Sequence, residues 1–281
     1  MRISLTECPR DAMQGIHQFI PTELKIKYLN NLLKVGFNTL DFGSFVSPKA
    51  IPQMKDTAEL VNELSLSNTK LLSIIANERG AEDAANFKQV DVVGFPFSVS
   101  EQFQQRNTNS NREQALEVVK NILSISENKH VRVYLSMAFG NPYKELWNPD
   151  IILKWADALQ NIGVKEIVLS DTVGVATPPV ITSIYQALNN EITEMKIDCH
   201  FHSTPDAWKE KIEAALQNGC TGFDSALKGY GGCPMADDDL VGNIATENLI
   251  NHFSKEDLPN INPDAFTESM RVADEIFGKY K

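Results

Sequence analysis

Residues 150–202 read DIILKWADALQNIGVKEIVLSDTVGVATPPVITSIYQALNNEITEMKIDCHFH. Apolar side chains recur at helical spacing over 150–162, and Gly163 closes that helix in a left-handed turn. A short apolar run, 166–170, reads as a strand, 178–190 returns to helical spacing, and 195–200 is a second strand. The same alternation extends both ways. Strands are expected at 3–5, 39–42, 71–75, 90–94, 131–136 and 222–225, with helices at 22–34, 56–64, 81–87, 112–126 and 207–218. Gly36 and Gly219 announce strands as Gly163 does. Eight β-then-α repeats in about 250 residues match a single α/β TIM barrel, (β/α)₈, spanning 1–281, with 259–281 as a C-terminal helical cap. A doubly wound open sheet would carry a glycine-rich phosphate turn, and no GxGxxG or Walker motif occurs.

In such a barrel the active site lies where the strands end. Polar side chains collect there: Arg10 and Asp11 after the first strand, Asp41 on the second, Asn77 after the third, Ser98 past the fourth, Asp171 and Thr172 after the sixth, and Lys228 and Cys233 after the eighth. His200 and His202 end the seventh. Alternate residues of a strand share a face, so the two imidazoles lie side by side while Cys199 and Phe201 turn away. Paired neutral imidazoles suit a divalent metal. Arg10 offers a fork of donors for a carbonyl or oxyanion, and Asp11 can ligate a metal or take a proton. Asp198 shares the histidines' face and is a candidate acceptor for orienting one of them, or a buried structural carboxylate.

The composition is that of a globular protein: 42% hydrophobic and 22% charged residues. A net charge of −11 excludes nucleic acid and an anionic membrane as main partners. Cys8, Cys199, Cys220 and Cys233 have no framework spacing, no signal-like segment opens the chain, and no apolar run is long enough to span a bilayer. A reduced, cytoplasmic setting is therefore expected. Glycines 231 and 232 and Pro234 make Cys233 the one thiol expected to lie on a flexible loop.

The first motif, Glu7-Cys8-Pro9-Arg10-Asp11-Ala12-Met13-Gln14, resembles the N-terminal signature of the hydroxymethylglutaryl-CoA lyase family. So do Ser44-Phe45-Val46-Ser47-Pro48-Lys49, Asp171-Thr172-Val173-Gly174, His200-x-His202, Gly231-Gly232-Cys233-Pro234 and Gly242-Asn243-Ile244-Ala245-Thr246-Glu247. These run in order along nearly the whole chain. The resemblance implies metal-assisted retro-Claisen cleavage of 3-hydroxy-3-methylglutaryl-CoA, or a similar 3-hydroxy-acyl-CoA, to acetoacetate and acetyl-CoA. It implies Mg²⁺ or Mn²⁺ held by Asp11, His200, His202 and Asn243, and catalytic roles for Arg10, Asp11, Asp41, His200 and Cys233. Substrate contacts are assigned to Gln14, Ser44, Asn77, Asp171 and Thr172. A CoA thioester is the expected small-molecule partner and a homodimer the expected assembly.

The chain departs from the family pattern at Gly15, His17, Asp41 (one methylene shorter than a glutamate), Ser203 and the acidic run Asp237–Asp239. Two other readings compete. A Claisen-condensing acyltransferase of the isopropylmalate or citramalate synthase type shares the Arg-Asp and His-x-His pairs, but the cysteine loop weighs against it. A metal-binding barrel without catalysis is the third.

Overall fold

The computed structural model describes residues 2–232 and 241–280. Eight parallel strands close into a barrel in sequence order: β1 (Ser4–Glu7), β2 (Thr39–Ser44), β3 (Lys70–Ile74), β4 (Val90–Ser98), β5 (His130–Ser136), β6 (Glu166–Asp171), β7 (Lys196–Phe201) and β8 (Gly222–Ser225). Each expected strand is present within a few residues of its anticipated bounds, and β8 pairs with β1 to remove the sheet's edges.

Helices follow the strands: α1 (Pro9–Gln14), α2 (Thr22–Leu33), α3 (Thr57–Glu63), α4 (Glu78–Ala85), α5 (Glu101–Thr108), α6 (Arg112–Ile125), α7 (Pro149–Asn161), α8 (Pro178–Glu191), α9 (Trp208–Gln217), α10 (Thr246–His252) and α11 (Pro263–Lys279). Gly36, Gly163 and Gly219 all take left-handed φ angles of 101°, 104° and 95°, as the helix-closing reading requires. Helix α11 lies where the C-terminal helix was expected. It packs on α2, with Phe277 edge-on to Tyr28 and Val272, Ala273 and Ile276 buried.

Three short helices escape the sequence pattern. The first residues after β1 form α1 because Pro9 occupies its first turn and the Ala12 amide donates to the Cys8 carbonyl at 3.1 Å. Helix α5 has almost no apolar stripe. Its start is set by the Ser100 hydroxyl, which accepts from the Phe103 amide. Helix α10 spans only two turns, too few for a periodic signal.

The main apolar core lies between the strands and the helical ring, while a smaller cluster of Leu72, Ile74, Val92, Tyr134 and Val168 fills the barrel interior. Beside that cluster the interior is charged. Arg132, Glu166, Asp198 and Asp224 are all buried. No described helix is long and apolar enough to cross a membrane.

Candidate metal centre and active site

Strand parity puts His200 and His202 on one face of β7, and the β6–β7 register sets His200 beside Ser170. Their Nε2 atoms lie 3.2 Å apart. The Nδ1 of His202 is 3.1 Å from the Thr172 carbonyl, and the Nδ1 of His200 is 3.4 Å from Asp224 Oδ2. A carbonyl only accepts, so His202 carries its neutral proton on Nδ1 and leaves Nε2 a lone pair. Asp11 completes a cluster in which one ligand atom from each residue lies within 4.8 Å of the others.

Asn243 joins this cluster through an isolated antiparallel bridge to His202. Its Nδ2 donates to Asp11 Oδ2 at 2.7 Å and to the Tyr230 carbonyl at 2.8 Å, leaving its buried Oδ1 without a partner. Gly231, at φ 97°, lies so close that a Cβ there would be 2.7 Å from Asn243 Nδ2.

The electrostatics bear on ligation. Burial and the neighbouring His200 push His202 down to about 4, which keeps it neutral. Burial opposes charge on His200, but the Asp224 hydrogen bond and the Asp11 charge raise it above the usual histidine value. Burial would raise Asp11; Arg10 and then the two histidines outweigh it and hold Asp11 below the ordinary aspartate range. Neutral imidazole, an ionised carboxylate and an orphaned amide oxygen make a mixed N/O donor set that fits a divalent cation, with Asp11, His200, His202 and Asn243 as the residues that would hold it.

Arg10 is the second centre. Its Nε is 3.2 and 3.1 Å from the two Asp41 oxygens and its Nη2 is 2.5 Å from Asp41 Oδ2. Its Nη1 donates to Asp11 Oδ1 at 3.1 Å and to Gln14 Oε1 at 2.8 Å, and Gln14 Nε2 donates to the same Asp11 oxygen. Burial raises Asp41 to about 6 although Arg10 pulls the other way.

Arg10, Asp11, Gln14, Thr172, His200 and His202 line one cavity of about 230 Å³ at the carboxyl ends of the strands. Its opposite wall is apolar, built by Val46, Ile51, Ile74, Pro96 and Phe103. Val46 comes from the segment quoted above as a family motif. Ser136, Ser170 and Asn107 also line it; strand parity counted from the ends of β5 and β6 would have flagged the two serines.

Other candidates are placed differently. Asp41 is fully buried behind Arg10 and both its oxygens are taken by the guanidinium. The Ser44 hydroxyl donates to the Ile74 carbonyl and accepts from the Val46 amide, holding the loop instead of facing the cavity. Asn77 caps α4, its Oδ1 accepting from the Gly80 amide. Asp171 pairs with Lys211 at 2.7 Å and accepts from the Ala176 amide, while Thr172, though it lines the cavity, has its Oγ1 accepting from the Met137 amide. Lys228 turns outward to Asp274.

Asp198 does not orient a histidine. It sits two residues, about 6–7 Å, further down β7, where Lys196 holds it at 2.5 Å. The carboxylate facing His200 is Asp224, which the sequence reading missed. Cys199 faces the helices as expected, 2.9 Å from the Tyr185 hydroxyl. Cys233 and Asp237–Asp239 lie outside the described residues.

The HMGL-like family model matches residues 3–274. Hydroxymethylglutaryl-CoA lyase YngG of Bacillus subtilis (strain 168) is 30% identical over 275 residues, which are 96% of this chain and 91% of that protein. The crystal structure of the Bacillus subtilis HMG-CoA lyase aligns with a TM-score of 0.92 at 29% identity, covering 99% of this chain and 94% of the other. An HMG-CoA lyase from Acinetobacter baumannii, solved in complex with coenzyme A and 3-methylmalate, aligns with a TM-score of 0.90 at 28% identity, covering 99% and 92%. Matched by the family model over residues 3–274 and by a relative along 96% of its length, the chain belongs to the HMGL-like family.

Proposed function

We propose that this protein is a carbon–carbon lyase that cleaves 3-hydroxy-3-methylglutaryl-CoA to acetoacetate and acetyl-CoA, with Mg²⁺ or Mn²⁺ as its cation. The observation that carries this reading is the convergence of Arg10, Asp11, His200 and His202 on one half-apolar cavity at the strand ends.

The reaction breaks the C2–C3 bond of a tertiary alcohol. The hydroxyl proton leaves, and the bonding electrons pass to the thioester as an enolate. When bound, the cation acidifies the hydroxyl and fixes its orientation. Asp11, ionised and on the cavity wall, is the carboxylate placed to accept the proton. Arg10, charged and held by Asp41, has its second Nη2 N–H to offer the thioester oxygen as negative charge develops there. Asp41, with both oxygens engaged, acts by aiming Arg10. The apolar wall limits water around the carbanion. Cys233, by its motif, is the proposed acid that quenches the enolate carbon. The same N/O set leaves the choice between Mg²⁺ and Mn²⁺ to experiment, and the cytoplasm is the proposed compartment.

Purified protein with Mn²⁺ or Mg²⁺ and 3-hydroxy-3-methylglutaryl-CoA should yield acetoacetate and acetyl-CoA in equal amounts. Absence of cleavage with this and related 3-hydroxy-acyl-CoA thioesters, in protein that binds the metal, overturns the proposal.

A further inference from the structure

The interior of the barrel below His200 holds a chain of buried charges that the reaction does not use. Arg132, on β5, is 4% exposed, and three carboxylates converge on it from three strands. Its Nη2 is 2.6 Å from Glu166 and 3.8 Å from Asp198, and its Nη1 is 3.4 Å from Asp224 Oδ1. Nη1 also donates to Thr6 Oγ1 at 3.0 Å. The other oxygen of Asp224 is the atom 3.4 Å from His200 Nδ1. At the far mouth, His130 Nε2 lies 2.5 Å from Glu166.

Barrels usually fill these layers with branched apolar side chains, and a buried ion cluster is a costly substitute for them. The expense is accounted for if the cluster sets the direction of an imidazole. We infer that Asp224 is a positioning residue for His200 and that Arg132 is the group that fixes Asp224. One carboxylate oxygen is committed to the guanidinium. The other faces Nδ1 and holds the proton there, so that Nε2 turns its lone pair toward His202 and Asp11. The neutral Cys8 thiol, whose sulfur shares this corner with His200 and Asp224, is too weak an acceptor to do the same. This inference rests on the reading of His200 and His202 as metal ligands.

The consequence is specific to Asp224→Asn. Arg132 still requires an acceptor, so the amide oxygen stays on Nη1 and the amide nitrogen turns to His200. A donor facing Nδ1 moves the ring proton to Nε2 and blocks ligation, as in catalytic triads where asparagine replaces the aspartate and selects the wrong tautomer. Long-range ¹H–¹⁵N NMR of metal-free, ¹⁵N-histidine-labelled protein, at a pH high enough to make the ring neutral, should show His200 protonated on Nδ1 in the wild type and on Nε2 in the variant. Mn²⁺ affinity, followed by EPR, should fall about 10–100-fold.

A His200 that stays protonated on Nδ1 in Asp224→Asn, with Mn²⁺ affinity within twofold of wild type, overturns the inference. Should wild type itself bind no Mn²⁺, the metal reading falls, and the tautomer still judges the role of Asp224 separately. If Asp224→Asn does not fold, Arg132→Lys keeps the charge but loses the fork. It should weaken Mn²⁺ binding and mix the His200 tautomers; wild-type behaviour there overturns the inference equally.

Discussion

The Nε2 atoms of His200 and His202 lie 3.2 Å apart and share one hydrogen bond, in which the lone pair of His202 Nε2 accepts from His200. His202 keeps its proton on the Thr172 carbonyl side, and burial holds that ring down to about 4. A divalent cation bound by both Nε2 atoms and the Asp11 carboxylate would take the place of the proton they share. Mn²⁺ or Mg²⁺ should therefore raise the melting temperature, by the equivalent of about 2.7 kcal/mol at a free concentration 100 times Kd. His202→Ala should lose that gain, and a chelator should remove cleavage until metal is restored. Full activity in metal-stripped protein would refute the assignment.

Arg10 touches Asp41 through two nitrogens and Asp11 through a third, which leaves little freedom in its plane. Lysine has no such fork. Arg10→Lys should lower kcat about 10²–10³-fold, or roughly 2.7–4 kcal/mol, with a much smaller effect on KM. Asp41→Asn should weaken the same step by loosening the guanidinium. Unchanged kcat in Arg10→Lys would reduce the pair to a structural contact.

Much of this was legible because two periodicities coexist in one chain. The strands of 166–170 and 195–200 stood out between helices capped by glycine, and parity alone paired His200 with His202. Asp224 was hidden because it lies on a four-residue strand, GFDS, whose facing is known only from its register against β7, where it meets His200. Asp198 had the right parity and the wrong depth: one pleat lower, Lys196 and Arg132 claim it. Ser44 opens a quoted motif and Asn77 is a polar residue after a strand, yet their side chains tie down a loop and start a helix. Polar residues at strand ends serve both purposes, and only the partners of each atom separate them.

Asp171 illustrates the point. Its motif invites a substrate contact, but Lys211 holds it at 2.7 Å while donating also to the carbonyls of His202 and Gly174. Both charged groups are buried. Asp171→Asn would strand the lysine, and removing one partner of a buried pair costs about 3–5 kcal/mol. A large fall in denaturant midpoint is expected, together with weaker metal binding as the His202 backbone loosens. A variant of wild-type stability whose only defect is a raised KM would restore the substrate-contact reading.

Glu7, at the end of β1, provides a test by pH. It is fully buried, and burial raises it to about 8 although Thr246 and the Leu227 amide favour the charged form. Thr246 Oγ1 lies 2.5 Å from Glu7 and 2.8 Å from Ser225 Oγ. With Glu7 protonated it donates to Thr246, which donates to Ser225; with Glu7 ionised the chain reverses, Ser225 donating to Thr246 and Thr246 to the carboxylate. Between its ordinary value of 4.5 and about 8, the folded protein holds a proton that the unfolded chain has released. Its contribution is therefore full below 4.5 and is lost as pH rises to about 8, at a rate near 1.4 kcal/mol per pH unit. Wild type should lose stability to urea between pH 6 and 8 and level off above. Glu7→Gln keeps a donor for Thr246 and an acceptor for Leu227 without a titrating proton, so that slope should flatten. Parallel pH profiles for the two proteins would show that Glu7 is ionised at neutral pH and that the threonine proton belongs to it.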